Sequence, residues 1–249
     1  MKQKLSINML PQPNEITCGP TCLQAVYHYY GDVVPLSKVI EEVPSLEEGG
    51  TLAVLLACHA LKRGYDATIY TYNLQVFDPT WFEPKPLSNI QLAQKLKQQA
   101  DAKKNKKLQI ATNAYLEFLR LGGKIRFRDL SRSLIRHYLR QGVPILTGLS
   151  STFLYHSCRE IGASNLQDDI AGEPEGHFVV LFGYDKQKKE ILIADPFVRN
   201  PYSYDLKYNI SMDRAICSIL LGVLTYDANF LLIRPKQKTK NEGGRKERE

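Results

Sequence analysis

The feature that most constrains this chain is a pair of apolar, β-type runs joined by one polar turn. Residues 177–184 (HFVVLFGY) and 190–194 (EILIA) are rich in branched and aromatic side chains, and DKQKK begins where the first run ends. Apolar runs of this length, bounded by turn chemistry, read as a hairpin of central strands buried on both faces. The N-terminal part reads differently. Residues 17–30, 35–43 and 51–62 carry apolar positions at helical spacing, and Gly31, Pro44 and Gly64 mark their ends. The expectation is an α+β chain with an N-terminal helical half and a C-terminal antiparallel sheet half.

The intervening sequence fills in this outline. Residues 66–72 (DATIYTY) alternate as a strand, and 78–87 hold Pro79, Pro84 and Pro86, which marks a linker or a wall-forming loop. Two polar-rich helices are predicted over 88–102 and 107–121, around KKNKK. They read as a helical insertion covering about residues 85–122. A strand over 124–128, a helix capped by Asp129 and running to Arg140, and a strand over 143–149 follow. Residues 150–176 form a long, acidic, irregular stretch, and a loop of that length in a compact domain is usually functional. A helix over 211–221 and a strand over 229–233 complete one domain, residues 1–234, and 235–249 are expected to be a disordered basic tail.

Charge is placed unevenly. Residues 85–140 carry 14 Lys and Arg against 3 Asp and Glu, within a chain of net charge +7. Without aromatic residues interleaved among the cations, a solvated helical face is preferred over a nucleic-acid surface. The five cysteines, Cys18, Cys22, Cys58, Cys158 and Cys217, are odd in number and irregular in spacing. They read as free thiols, and the chain is expected to be cytoplasmic. The apolar runs at 51–61 and 215–224 are too short to span a bilayer.

Three segments carry chemistry: QPNEITCGPT at 12–21, GHFVVLFGYD at 176–185 and ADP at 194–196. A thiol nucleophile must ionise near neutral pH, and a helix N-terminus and an adjacent imidazolium both favour the thiolate. Cys18 falls in the first turn of the first predicted helix, and Gly19 is expected to leave room for a substrate backbone. Attack on a carbonyl develops an oxyanion, which needs placed N–H donors. The Cys18 backbone N–H is one candidate and the side-chain amide of Gln12, held extended between Pro11 and Pro13, is a second. A base must be a histidine whose other nitrogen is held by an acceptor. His177 opens one strand of the hairpin and Asp195 closes the next, so both lie near one rim. A symmetric turn would leave them about three residues out of step, a gap for twist or a bulge to close.

Gln12, then Cys18–Gly19 at a helix start, resembles the papain-like cysteine peptidases. His-Phe-Val-Val-x-x-Gly-Tyr-Asp and a strand ending Ala-Asp-Pro narrow the resemblance to the C39 group, the leader-peptide peptidases of bacteriocin precursors and their standalone relatives. The resemblance implies a papain-like fold with Gln12 in the oxyanion hole, Cys18 as nucleophile, His177 as general base and Asp195 orienting it. It implies a cysteine peptidase or amidase acting on a peptide or protein substrate through a thioester. Peptidyl or acyl transfer by the same chemistry, and a non-catalytic module that binds peptide or nucleic acid, are the alternatives. No cofactor or metal is expected. Thr17 stands where the leader peptidases usually carry an acidic residue.

Other residues have plainer readings. Cys18 itself competes with a buried helix cysteine, and Cys22 reads as core rather than as a metal ligand. His156 and Cys158 are expected in a lid or pocket wall. Asp168, Asp169, Glu173 and Glu175 are solvated loop acids or selectors of a basic substrate. Phe77, Trp81 and Phe82 line a groove or fill the core, and His28, His59 and His137 receive no role.

Overall fold

The computed structural model describes residues 2–47, 49–162 and 166–236. A short strand, β1 (Lys2–Lys4), leads into helices α1 (Cys18–Tyr29), α2 (Leu36–Glu42) and α3 (Ala53–Lys62), followed by β2 (Tyr65–Thr71). A 3₁₀ turn at Pro79–Trp81 precedes α4 (Asn89–Lys103), α5 (Lys106–Arg120), β3 (Lys124–Arg126) and α6 (Arg132–Arg140). Then come β4 (Ile145–Ser150), α7 (Ser151–Tyr155), β5 (Glu160–Ile161), β6 (Leu166–Gln167), β7 (Gly176–Asp185), β8 (Glu190–Ala194), β9 (Lys207–Ser211), α8 (Met212–Leu221) and β10 (Asn229–Pro235). Each predicted helix and strand is present, with ends displaced by less than a turn. The basic tail beyond residue 236 lies outside the described residues.

Local chemistry explains the helix starts. Ser88 and Gln91 form a reciprocal capping box at α4, and Asn105 accepts from the Leu108 N–H at 2.9 Å to cap α5. The cap of α6 is Ser131 rather than Asp129: its hydroxyl accepts from the Leu134 N–H at 3.2 Å. Three elements, α7, β5 and β6, fall inside 150–176, the stretch expected to be irregular. Two more, β1 and β9, fall where no element is expected, and β9 pairs with β8 along its whole length.

One eight-stranded sheet organises the molecule, in the order β3-β2-β10-β4-β7-β8-β9, with β1 beside the distal end of β7. Among the described residues, the strand pairings of this sheet are antiparallel except β2 with β3. Helix α1 packs on β7 and β4, α3 on β2 and β10, and α8 on β4, β8 and β9. Helices α4 and α5 pack on each other and α5 on α3, so that Leu96, Leu108 and Phe118 join the same core as Leu23 and Val180. The aromatic residues before α4 belong to that core: Phe77 packs on Tyr115 at 4.8 Å between centroids and Phe82 stacks on Phe127 at 5.4 Å. No described helix is long and apolar enough to cross a membrane.

The β7–β8 hairpin is not symmetric. Near the turn Tyr184 faces Ile191 and Gly183 faces Leu192, whereas further in Leu181 faces Ile193 and Val180 faces Ala194. Phe182 is the extra residue of a β-bulge. In the outer register Asp195 would fall opposite Val180, on the face away from His177. The bulge moves it opposite Val179, which shares the face of His177, so the two side chains become diagonal neighbours.

Candidate active site

Cys18 is the first residue of α1, and the helix approaches the sheet where β7 begins. Thr17 occupies the cap position but does not cap the helix with its side chain. Its hydroxyl donates instead to the Asn14 carbonyl at 3.1 Å, which ties down the approach to the cysteine. With no side-chain cap, the N–H groups of the first turn are left to whatever faces the helix end. Gly19 serves the packing of this helix, not a substrate. A methyl at its Cα would lie 2.7 Å from the Thr51 methyl and 3.2 Å from the Phe178 ring.

His177 is buried and its Nε2 lies 2.8 Å from Asp195 Oδ1. Cys18 stands beside the ring, close enough for its charge to act on the imidazole, and Nδ1 is the nitrogen that Asp195 leaves open. Asp195 is fully buried directly after β8, its N–H bonded to the Leu206 carbonyl at 2.9 Å. Oδ1 also accepts the Phe197 N–H at 2.9 Å. Oδ2 accepts two tyrosine hydroxyls, Tyr155 at 2.6 Å and Tyr208 at 2.7 Å. Sequence reasoning did not reach either tyrosine. The alternation of Tyr208 and Ile210 in KYNIS was the available sign of the second, and the first had none.

Electrostatics follow from burial against pairing. Burial disfavours a charged His177, but the charges of Asp195 and Cys18 and the bond to Asp195 outweigh it and push the imidazole up to about 10. Burial would likewise keep Asp195 neutral, yet the His177 charge and the bonds from His177, Tyr155 and Tyr208 hold its carboxyl below the usual value. Cys22, one turn along α1, is driven well above an ordinary thiol by burial and by Cys18, and its Sγ donates to the Phe178 carbonyl at 3.2 Å. It is core and stays protonated.

Gln12 reaches the same place along the extended segment before α1. Its backbone N–H donates to the Pro196 carbonyl at 2.9 Å, beside Asp195, and its Nε2 donates to the Asn14 carbonyl at 2.9 Å. One amide hydrogen of two is thereby engaged. Gln12, Tyr155, His177 and Phe197 line one cleft of about 590 Å³. His156 and Glu175, from the acidic stretch, also line it, while Asp168 turns back to the Ile170 and Ala171 N–H groups. Burial lifts the carboxyls of Glu160 and Glu175, helped by Glu15 and by Glu160 respectively. Arg199 pairs with Glu15 at 2.9 Å on the rim. The other histidines stand apart: His59 bridges Tyr27 and Glu42, and His28 and His137 are exposed. Among the described residues, no group of three or more His, Cys, Asp or Glu is placed to hold a metal.

The fold and the pairing of a buried imidazole with a buried carboxylate beside a helix-start cysteine define a class, the papain-like cysteine peptidases. Within it, the chain belongs to the Peptidase_C39 like family, which matches residues 4–215. No curated protein matches the chain. Among solved structures it is similar to a C39-like peptidase, so described, from Bacillus anthracis, at 14% identity and a TM-score of 0.50, with 96% of this chain and 100% of that one covered. A double-glycine-motif protease of an AMS/PCAT transporter, solved with its leader peptide, is similar at 16% identity and a TM-score of 0.44, covering 94% and 95%. Xylellain, a cysteine protease from Xylella fastidiosa, is similar at 14% identity and a TM-score of 0.44, covering 95% and 86%.

Proposed function

We propose that the chain hydrolyses peptide amide bonds through Cys18, His177 and Asp195, with Gln12 in the oxyanion hole. Cys18 Sγ attacks the carbonyl carbon, the oxyanion is received by the Cys18 N–H and the free amide hydrogen of Gln12, and the C–N bond breaks. His177 passes the thiol proton to the leaving amine, leaving a thioester on Cys18. Water then attacks the thioester. His177 takes its proton and returns it to the sulfur as the carboxylic acid leaves.

The observation that carries this reading is one buried ring bonded to Asp195 at 2.8 Å and set beside Cys18, whose charge acts on it. A fixed carboxylate sets the tautomer and favours the imidazolium that accompanies the thiolate. Family membership supports a peptide or protein as the substrate. The five free cysteines suit a reducing, cytoplasmic compartment, and α4 and α5 are read as an insertion on the peptidase body.

The reading is tested by offering the purified protein a broad peptide library and comparing it with Cys18→Ala by mass spectrometry. New amino and carboxyl termini should form with the native protein alone. Cleavage that survives Cys18→Ala would remove the nucleophile from the mechanism.

A further inference from the structure

Two tyrosines from separate parts of the chain converge on a single oxygen of the site. Tyr155 ends α7, which is fixed to the base of β7: the Ser151 N–H donates to the Glu175 carbonyl at 3.0 Å, and the Glu175 N–H to Thr152 Oγ1 at 2.8 Å. Tyr208 stands on β9, beside β8. Both hydroxyls reach Asp195 Oδ2, while His177 Nε2 and the Phe197 N–H occupy Oδ1. A carboxylate offers about four acceptor positions, so all are filled. The carboxylate cannot swing away from His177 without breaking bonds at its other oxygen.

We propose that Tyr155 and Tyr208 are positioning residues of the reaction, clamping the Asp195 carboxylate so that Oδ1 stays on His177. The proposal rests on the reading of Cys18 and His177 as the reacting pair. It gives two buried hydroxyls a task beyond filling space. A buried carboxylate that lost two of its four donors would be left partly unsatisfied, the condition that favours its neutral form. A neutral Asp195 no longer supports a charged His177, and the thiolate of Cys18 loses its counter-ion. Tyr155 stands closest to the substrate of the two, since it lines the cleft and its ring lies 6.1 Å from both His177 and Phe197. The titratable groups facing the pair are Cys18 and Cys22 from α1, Tyr155 from α7 and Tyr208 from β9, with Tyr202 behind Tyr208.

The test needs no substrate. Iodoacetamide modification of Cys18 is followed by mass spectrometry from about pH 5 to about pH 10 in the native protein, Tyr155→Phe, Tyr208→Phe and the double variant. Tyr202→Phe serves as the packing control: its hydroxyl donates to the Leu154 carbonyl and its ring packs on Tyr208, without a bond to Asp195. At about pH 6 the double variant should react about tenfold more slowly than the native protein, with each single variant between. The curves should converge near pH 10, where an ordinary thiol ionises unaided. Tyr202→Phe should follow the native curve. A double variant with the native profile, or one slowed equally at every pH, overturns the proposal alone. A native rate at pH 6 no faster than that of His177→Ala shows instead that the underlying reading of Cys18 and His177 has failed, and overturns the proposal with it.

Discussion

His177 and Asp195 meet at 2.8 Å because the hairpin that carries them contains one residue too many. Phe182 bulges out of β7, and the register beyond it, Val180 facing Ala194, carried on by one residue sets Asp195 opposite Val179 rather than Val180. One residue of slip exchanges the two faces of a strand, so the bulge decides whether these side chains touch at all. Gly183 accompanies the bulge because β1 lies against it: a methyl there would fall 2.5 Å from the Gln3 carbonyl oxygen.

The contact has a pH signature. His177 is held protonated up to about 10, burial being outweighed by Asp195 and Cys18. Removing the charge at constant shape, by Asp195→Asn, should lower the midpoint of the His177 nitrogen-15 titration by at least about two units, towards the ordinary imidazole value near 6.5. A midpoint unchanged in Asp195→Asn would show that the carboxylate does not sustain the imidazolium.

Gly19 offers a test of what the small residue beside Cys18 is for. Gly19→Ala drives a methyl against Thr51, and overpacking of this kind costs about 1–3 kcal/mol in a urea melt. Thr51→Ser removes the opposing methyl and keeps the hydroxyl that donates to the Pro44 carbonyl at 2.9 Å. The double variant should recover more than half of the loss. No recovery would place the strain elsewhere.

Much of the candidate site is legible because its residues sit where periodicity changes or chain direction turns. Cys18 at a helix start, His177 opening an apolar strand and Asp195 before a proline are all boundary residues, and boundaries are written in caps, prolines and glycines. What was illegible lacked such marks. Phe182 is as apolar as its neighbours, so the bulge leaves no trace in the pattern. Tyr155 ends a five-residue helix, too short to show a period, and Tyr208 follows a run of turn residues that hides β9. Gly19 was misread for a related reason: what fills the space beside it is Thr51, 32 positions further on, and no local signal reports a partner at that distance.

Asp227 supplies a separate prediction far from the cleft. Helix α3 has no side-chain cap of its own, and Asp227 Oδ1 accepts from the Ala53 N–H at 2.9 Å in its place. Burial pushes this carboxyl up to about 7, against the bonds from Ala53 and Asn229. The folded state therefore keeps a proton that the unfolded chain releases near 3.8. That contribution to stability is complete below pH 3.8 and is lost as pH rises through about 7. Asp227→Asn keeps the acceptor and removes the ionisation. Its stability relative to the native protein should improve by about 4 kcal/mol between pH 4 and pH 8, measured by urea melts at both. A difference independent of pH would show that Asp227 does not titrate in this range.

If His177 activates Cys18, the cysteines react in the opposite order to the one that accessibility alone predicts. Cys217 is exposed, Cys158 is half-buried and Cys18 is buried. The most direct measurement is the rate at which each cysteine is alkylated by limiting iodoacetamide at about pH 6, resolved by peptide mass spectrometry. Cys18 should react about tenfold faster than Cys217, and His177→Ala should abolish the advantage. Cys217 reacting first, with Cys18 indifferent to His177→Ala, would contradict that activation.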